Sequence, residues 1–221
     1  MSAHELREFA DAETTALAAA AFLSSFIAET LAAKGACAIA LSGGTTPGPA
    51  FRALREKDVD WDRVRVFQVD ERVAPDGDAH RNLTQLRECL GTPPVQVTAM
   101  PVTAADLEAG ADSYAAALPE RFDLVHLGLG PDGHTASLVP GDPVLGVDDR
   151  LVAVTAPYQG YRRMTLTYPA LARADLLLWL LAGADKRDAL ARLLGGDESI
   201  PAGRVQAKRS VVMADAAAAS S

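Results

Sequence analysis

The chain has 221 residues, 49% hydrophobic and 23% charged, an ordinary balance for a globular protein with a sizeable core. A formal net charge of −8 speaks against a nucleic-acid binder or a basic membrane-surface protein, while leaving room for an anionic ligand held by a few local cations. The two cysteines, Cys37 and Cys89, are too few for a disulfide framework or a cysteine-based zinc site and read as core thiols in a reducing compartment.

In chain order, the pattern predicts an alanine-rich helix over 11–33, capped near Thr14 or Thr15. Its apolar run, ALAAAAFLSSFIA (16–28), is too short to span a bilayer. Glu5, Glu8, Asp11 and Glu13 precede it where a signal peptide would be positive, so a cytoplasmic protein with no membrane partner is expected. A strand over 36–41, a helix over 48–57, a strand over 64–69 and helices over 80–90 and 104–117 follow. Strands over 122–129, 151–156, 164–169 and 175–183, a helix over 185–194 and a strand over 209–214 complete the series. The closing AAAASS (216–221) is expected to fray. Several strands are almost continuously apolar, as strands buried on both faces of a parallel sheet are. With no repeat and no dividing linker, this predicts one α/β domain over 1–221, a mainly parallel, Rossmann-like sheet with helices on both faces.

Ligands of such sheets bind beyond the carboxyl ends of the strands. Four polar, glycine-marked segments fall there: SGGTTPG (42–48), DERVAPDGDAHRN (70–82), GPDGHTAS (130–137) and GADKRDAL (183–190). In the first, Gly43 and Gly44 let backbone N–H groups approach an anion, Thr45 and Thr46 add hydroxyls, and Pro47 opens a helix whose positive end faces the same way. No Gly-Lys-Ser/Thr follows, so it is not a Walker A loop. In the second, Asp70, Glu71 and Arg72 either position sugar hydroxyls and phosphate or form a structural ion pair. Arg162 and Arg163 stand just before a strand and Lys186 just after one, and Lys186 becomes a phosphate ligand if it shares an edge with the Gly-Gly-Thr loop.

LGLGPDGHTASLVPG (127–141) fits G-x-G-x-x-G through Gly128, Gly130 and Gly133, but its surroundings do not fit a dinucleotide site. Pro140 and Gly141 cut the following helix short, and Asp148 and Asp149 precede the next strand rather than follow it. Asp132 and His134 on this glycine-framed loop read instead as a carboxylate-oriented imidazole for general acid–base work. His126, inside a strand, and His4 read as structural.

Together, LSGGTTP, VDERVAP, LGLGPDGHTASLVPG, RRMTLTYPAL and AGADKRDAL resemble the 6-phosphogluconolactonases, in that family's order and across about residues 8–215. The resemblance implies a fold like that of the glucosamine-6-phosphate deaminases and ribose-5-phosphate isomerases. It also implies hydrolysis of 6-phospho-D-glucono-1,5-lactone, the second step of the oxidative pentose phosphate pathway. His134 would then be the acid/base with Asp132 beside it, and Gly43, Gly44, Thr45, Arg72, Arg163 and Lys186 would hold phosphate and sugar. Neither a metal nor a cofactor is expected, and the chain is expected to be a monomer or weak homodimer. One departure stands out: the family's common Ser-Asn-Tyr is replaced by Arg81-Asn82-Leu83.

Two rivals remain. A deaminase shares the Gly-Gly loop and Asp-Gly-His but carries a glutamate five residues after the histidine, where this chain has Val139. A non-catalytic sugar-phosphate sensor would bring a DNA-binding module, and no basic helix-turn-helix precedes residue 36.

Overall fold

A computed structural model describes residues 4–91 and 95–220. In chain order the strands are β1 (His4–Phe9), β2 (Cys37–Leu41), β3 (Val64–Gln68), β4 (Asp70–Arg72), β5 (Gln96–Thr98), β6 (Phe122–Leu127), β7 (Val152–Val154), β8 (Arg163–Leu166), β9 (Ala174–Leu181) and β10 (Arg209–Asp215). The helices are α1 (Ala12–Lys34), α2 (Gly48–Arg55), α3 (Asn82–Leu90), α4 (Leu107–Ala117), α5 (Tyr168–Leu171), α6 (Arg187–Leu194) and α7 (Ala216–Ala219).

Seven strands form one parallel sheet in the order β1-β10-β9-β6-β2-β3-β5. α1, α2 and α3 cover one face through Leu23, Ile27, Phe51, Leu54 and Leu86. The other face packs on α4, α5, α6 and a small antiparallel sheet, β4-β8-β7. Burial of each large aliphatic side chain in these layers stabilises the fold by about 1.5–3 kcal/mol. From β2 the chain winds outward through β3 to β5, and from β6 it winds the other way through β9 to β10. The neighbours β2 and β6 therefore flank a switch point, where a crevice opens beyond the carboxyl ends of an α/β sheet.

Several boundaries differ from the sequence reading. β1 is absent from the sequence reading; its HELREF contains no fully buried residue, and among the described strands it pairs only with β10 at the sheet's edge, so its pattern carries little of the apolar signal of a buried strand. The segments expected as strands at 151–156 and 164–169 do form β7 and β8, but in the antiparallel sheet, and the second ends before Pro169, which lies in α5. Asp11, not Thr14 or Thr15, caps α1, accepting from the Thr14 N–H at 2.7 Å while the Thr14 hydroxyl reaches back in a capping box. Of the segment expected to fray, residues 216–219 instead form α7, where Asp215 accepts from the Ala218 N–H at 2.9 Å and Ala218 is buried, while Ser221 lies outside the described residues. The apolar run at 16–28 belongs to a 23-residue helix that is long and apolar enough to cross a bilayer, so length does not exclude a span. That helix instead buries Ala16, Ala19, Ala20, Leu23, Ile27 and Leu31 against the sheet.

His126 in β6 has no solvent exposure, and burial pushes its imidazole down to about 3 from 6.5. Between those two pH values the unfolded chain binds a proton that the folded chain refuses. Stability from this group is therefore complete above pH 6.5 and drains away as pH falls toward 3. On going from pH 7 to pH 4.5, urea unfolding of His126→Leu should lose about 2–3 kcal/mol less stability than the wild type. Equal losses would contradict the assignment.

Candidate active site

The four glycine-marked segments meet in one cavity of about 240 Å³ at the switch point. Its walls include Gly43, Gly44, Thr45, Thr46, Asp70, Arg72, His134, Arg163 and Lys186. Every site residue expected from sequence therefore lines it except Asp132, which stands behind His134. Arg162 is exposed and does not line it, which separates it from Arg72 and Arg163.

The loop after β2 carries Ser42 to Pro47. Gly43 presses so closely on Asn82 that a Cβ would lie 2.4 Å from Oδ1, and Gly44 holds φ of 110°. The Gly44 N–H is already taken by Gln85 Oε1 at 2.9 Å, so that donor is not available to a ligand as the sequence suggested. Pro47, the cap of α2, lines the cavity and makes no side-chain hydrogen bond to the helix's opening N–H groups.

The DER segment divides in function. Glu71 is fully buried and accepts from the Arg72, Asn82 and Leu83 N–H groups at 2.8, 2.7 and 2.9 Å; Arg81 Nε lies 3.1 Å away as an ion-pair partner. Of the two possibilities open for this cluster, Glu71 takes the structural one, and Arg81 at the departing position serves it. Asp70 is also buried: Asn82 Nδ2 donates to Oδ1 at 2.9 Å and the Ser137 hydroxyl to Oδ2 at 2.6 Å. Burial raises its carboxyl, against the Ser137 hydrogen bond and the Arg163 charge, which lower it. Both oxygens are thus engaged within the protein.

Arg72 and Arg163 are directly opposed in the β4–β8 pair. Like charges at facing positions repel, and Arg163 is buried, with burial first and Arg72 among the lesser causes pulling its guanidinium down. Its Nε is buried without a hydrogen-bond partner among the described residues. Lys186, its side chain 18% exposed, adds a third cation to the same walls and, among the described residues, forms an ion pair only with the exposed Asp185 at 3.0 Å. Three cations converging on one small cavity form a site complementary to an anion.

The remaining wall holds the imidazole. Asp132 Oδ1 lies 2.5 Å from His134 Nδ1 and accepts the His134 N–H at 3.1 Å. Burial works to raise the Asp132 carboxyl, but the His134 N–H and ring together outweigh it and hold it below the ordinary value. An ionised carboxylate only accepts, so the Nδ1 facing it carries the proton and Nε2 keeps its lone pair. The turn closes through Gly130 N–H to the His134 carbonyl at 2.8 Å and Gly133 N–H to the Gly130 carbonyl at 2.9 Å, with Gly133 at φ 82°. Ala136, at φ 51°, lines the cavity in a strained conformation costing about 1–2 kcal/mol.

Sequence reasoning missed Tyr158. Its hydroxyl lies 3.5 Å from Asp132 Oδ2, its ring meets His134 edge-on at 5.7 Å, and the Arg163 guanidinium sits 5.0 Å over its face. The one local signal was the turn at Gln159-Gly160, with φ of 50° and 84°; nothing local linked it to residue 132. Asn82 and Ser137 were missed for the same reason, since their partner Asp70 is distant in sequence.

The model of a family described as glucosamine-6-phosphate isomerases/6-phosphogluconolactonase matches residues 10–214. The chain is similar to a 6-phosphogluconolactonase of Synechocystis, at 38% identity over 76% of this chain and 75% of the relative. It is likewise similar to one of Streptomyces coelicolor, at 36% identity over 95% and 91%. A Thermotoga maritima 6-phosphogluconolactonase structure superposes with a TM-score of 0.87 at 27% identity, covering 96% of this chain and 99% of the other. A monomeric glucosamine-6-phosphate deaminase shares the fold, with a TM-score of 0.86 at 20% identity. The chain belongs to the glucosamine-6-phosphate isomerase/6-phosphogluconolactonase family.

Proposed function

We propose that this protein is a 6-phosphogluconolactonase, hydrolysing 6-phospho-D-glucono-1,5-lactone to 6-phospho-D-gluconate in the oxidative pentose phosphate pathway. The observation that carries the reading is the shared cavity: a carboxylate-backed imidazole on one wall, with Arg72, Arg163 and Lys186 on others. The cations and the loop at Gly43, Thr45 and Thr46, with Gly44 shaping its turn and held by Gln85, grip the phosphate and the sugar, and Asp70 steadies them through Ser137 and Asn82.

With the phosphate anchored, the lactone C1 is brought near a water held by His134 Nε2. The imidazole takes the water's proton as the oxygen attacks C1, while Asp132 stabilises the imidazolium. Guanidinium or main-chain N–H donors stabilise the oxyanion. As the C1–O5 bond breaks, the imidazolium returns the proton to O5, leaving free hydroxyl and carboxylic acid. Six-membered sugar lactones already open slowly in water, so general base catalysis of about 10²–10⁴-fold plus positioning is a sufficient demand. Val139, where deaminases carry a glutamate, favours the lactonase over the isomerising reaction.

The chain works as one domain and as a monomer or weak homodimer in the cytoplasm, a setting that matches its two free, buried cysteines. With freshly prepared lactone, the protein should accelerate ring opening well above the spontaneous rate and release no ammonia from glucosamine 6-phosphate. The reverse outcome would make it a deaminase. Arg163→Met should raise KM about 10- to 100-fold, the range for losing a charged hydrogen bond, and leave kcat less affected. An unchanged KM would remove Arg163 from the phosphate.

A further inference from the structure

We infer that His126, which the reaction does not use, is a positioning residue for the anion-binding loop: its Nδ1 anchors Ser42, the residue from which that loop departs. The inference rests on the reading of the 42–46 loop as an anion grip. The hydroxyl of Ser42 lies 2.9 Å from Nδ1, and its main-chain N–H points at the same nitrogen at 3.4 Å. Ser42 is buried yet lines the cavity, with Gly43 and Gly44 following directly.

A purely structural role accounts poorly for this residue. His126 sits in a central strand among Leu124, Val125 and Leu127, facing Leu178 across β9 and Phe51 edge-on at 5.4 Å. An apolar side chain would fill that place without penalty, whereas the imidazole leaves Nε2 buried with no partner among the described residues. Its polar return comes through Ser42. A main-chain N–H only donates, so the nitrogen receiving it bears a lone pair and the ring proton is on Nε2. One acceptor thus fixes both donors of Ser42 and ties the carboxyl end of β2 to β6, on the two sides of the switch point. The loop's direction into the cavity starts from that tie.

The test is His126→Leu. Its KM for the lactone and its inhibition constant for inorganic phosphate should both rise about tenfold, the size of one lost hydrogen bond, with kcat within about twofold of wild type. Adding Ser42→Ala to it should weaken phosphate binding no further than the larger single effect, because His126 acts through Ser42. His126→Asn, whose amide oxygen still accepts, should recover part of the affinity. Wild-type KM and phosphate inhibition in His126→Leu, or a fall in kcat with KM unchanged, would overturn the inference.

Should the variants fail to fold, nitrogen NMR of the wild-type ring decides: a proton on Nε2 supports the anchor and one on Nδ1 refutes it. A wild type that opens the lactone while His126→Leu matches it sinks this inference alone. A wild type that binds phosphate more tightly than His126→Leu but opens no lactone keeps the anchor and sinks the lactonase reading. A wild type indifferent to inorganic phosphate sinks the anchor.

Discussion

His134→Ala is expected to lower kcat/KM for the lactone by about 10²–10⁴-fold, the range for losing a general base, and to leave folding and phosphate binding intact. His134 projects from a loop, 23% exposed, and is absent from both core clusters. Its side-chain contacts include Asp132, the edge of Tyr158 and the main chain at Gly130, none of them in either hydrophobic cluster, so removing it opens no core cavity and should shift stability by well under the 2–5 kcal/mol of a core truncation. The cations that grip the phosphate lie on other elements: Arg72 on β4, Arg163 on β8 and Lys186 just before α6. Inorganic phosphate should therefore inhibit or bind the variant as it does wild type. Asp132→Asn should fall between the two, since an amide can no longer favour the imidazolium by charge. Turnover by His134→Ala near the wild-type rate would remove the imidazole from the chemistry and leave the cavity as a binding site only.

The arrangement behind that expectation was partly visible in the sequence, and the reasons are local. A strand ending in Ser-Gly-Gly and a glycine-framed Asp-x-His are short-range patterns, and a parallel sheet aligns strand ends, so placing both on one edge needed only the α/β alternation. The sheet itself was legible where strands such as LLLWLL run apolar without interruption, as both-face burial demands. β4, at three residues, is set by pairing with β8 rather than by its own sequence. Local pattern likewise could not tell a strand of the parallel sheet from β7 or β8, because burial makes both apolar. Contacts such as Tyr158 with Asp132 or Ser137 with Asp70 span 26 and 67 positions and exist only once the two sheets are packed. The sequence was also silent on which arginine faces inward. Arg163 opens β8 and is buried at the cavity wall, while Arg162, one position before the strand, stands in solvent.

Gly130→Ala should reduce turnover nearly as far as His134→Ala even though the histidine remains. A Cβ at this position would fall 2.1 Å from His134 Nδ1, 2.2 Å from its Cε1 and 2.7 Å from Asp132 Oδ1. Contacts that short cannot stand, so something must move. The atoms in the way are the far ends of the two side chains proposed to act, which swing more cheaply than backbone does. Gly130 holds no positive φ, so alanine meets no backbone strain there and the turn can survive. The methyl therefore costs little stability and instead drives the imidazole and carboxylate from their 2.5 Å approach, where a displacement near 1 Å loses about 10²-fold. Gly133→Ala offers the contrast. At φ 82° and with its Cβ 2.5 Å from Ile200 Cβ, it should lower Tm before it lowers activity per folded molecule, because the buried Ile200 cannot step aside. Measuring kcat and Tm on both variants separates these outcomes. If Gly130→Ala keeps wild-type turnover, the imidazole works from a different rotamer, and the glycine serves the turn alone.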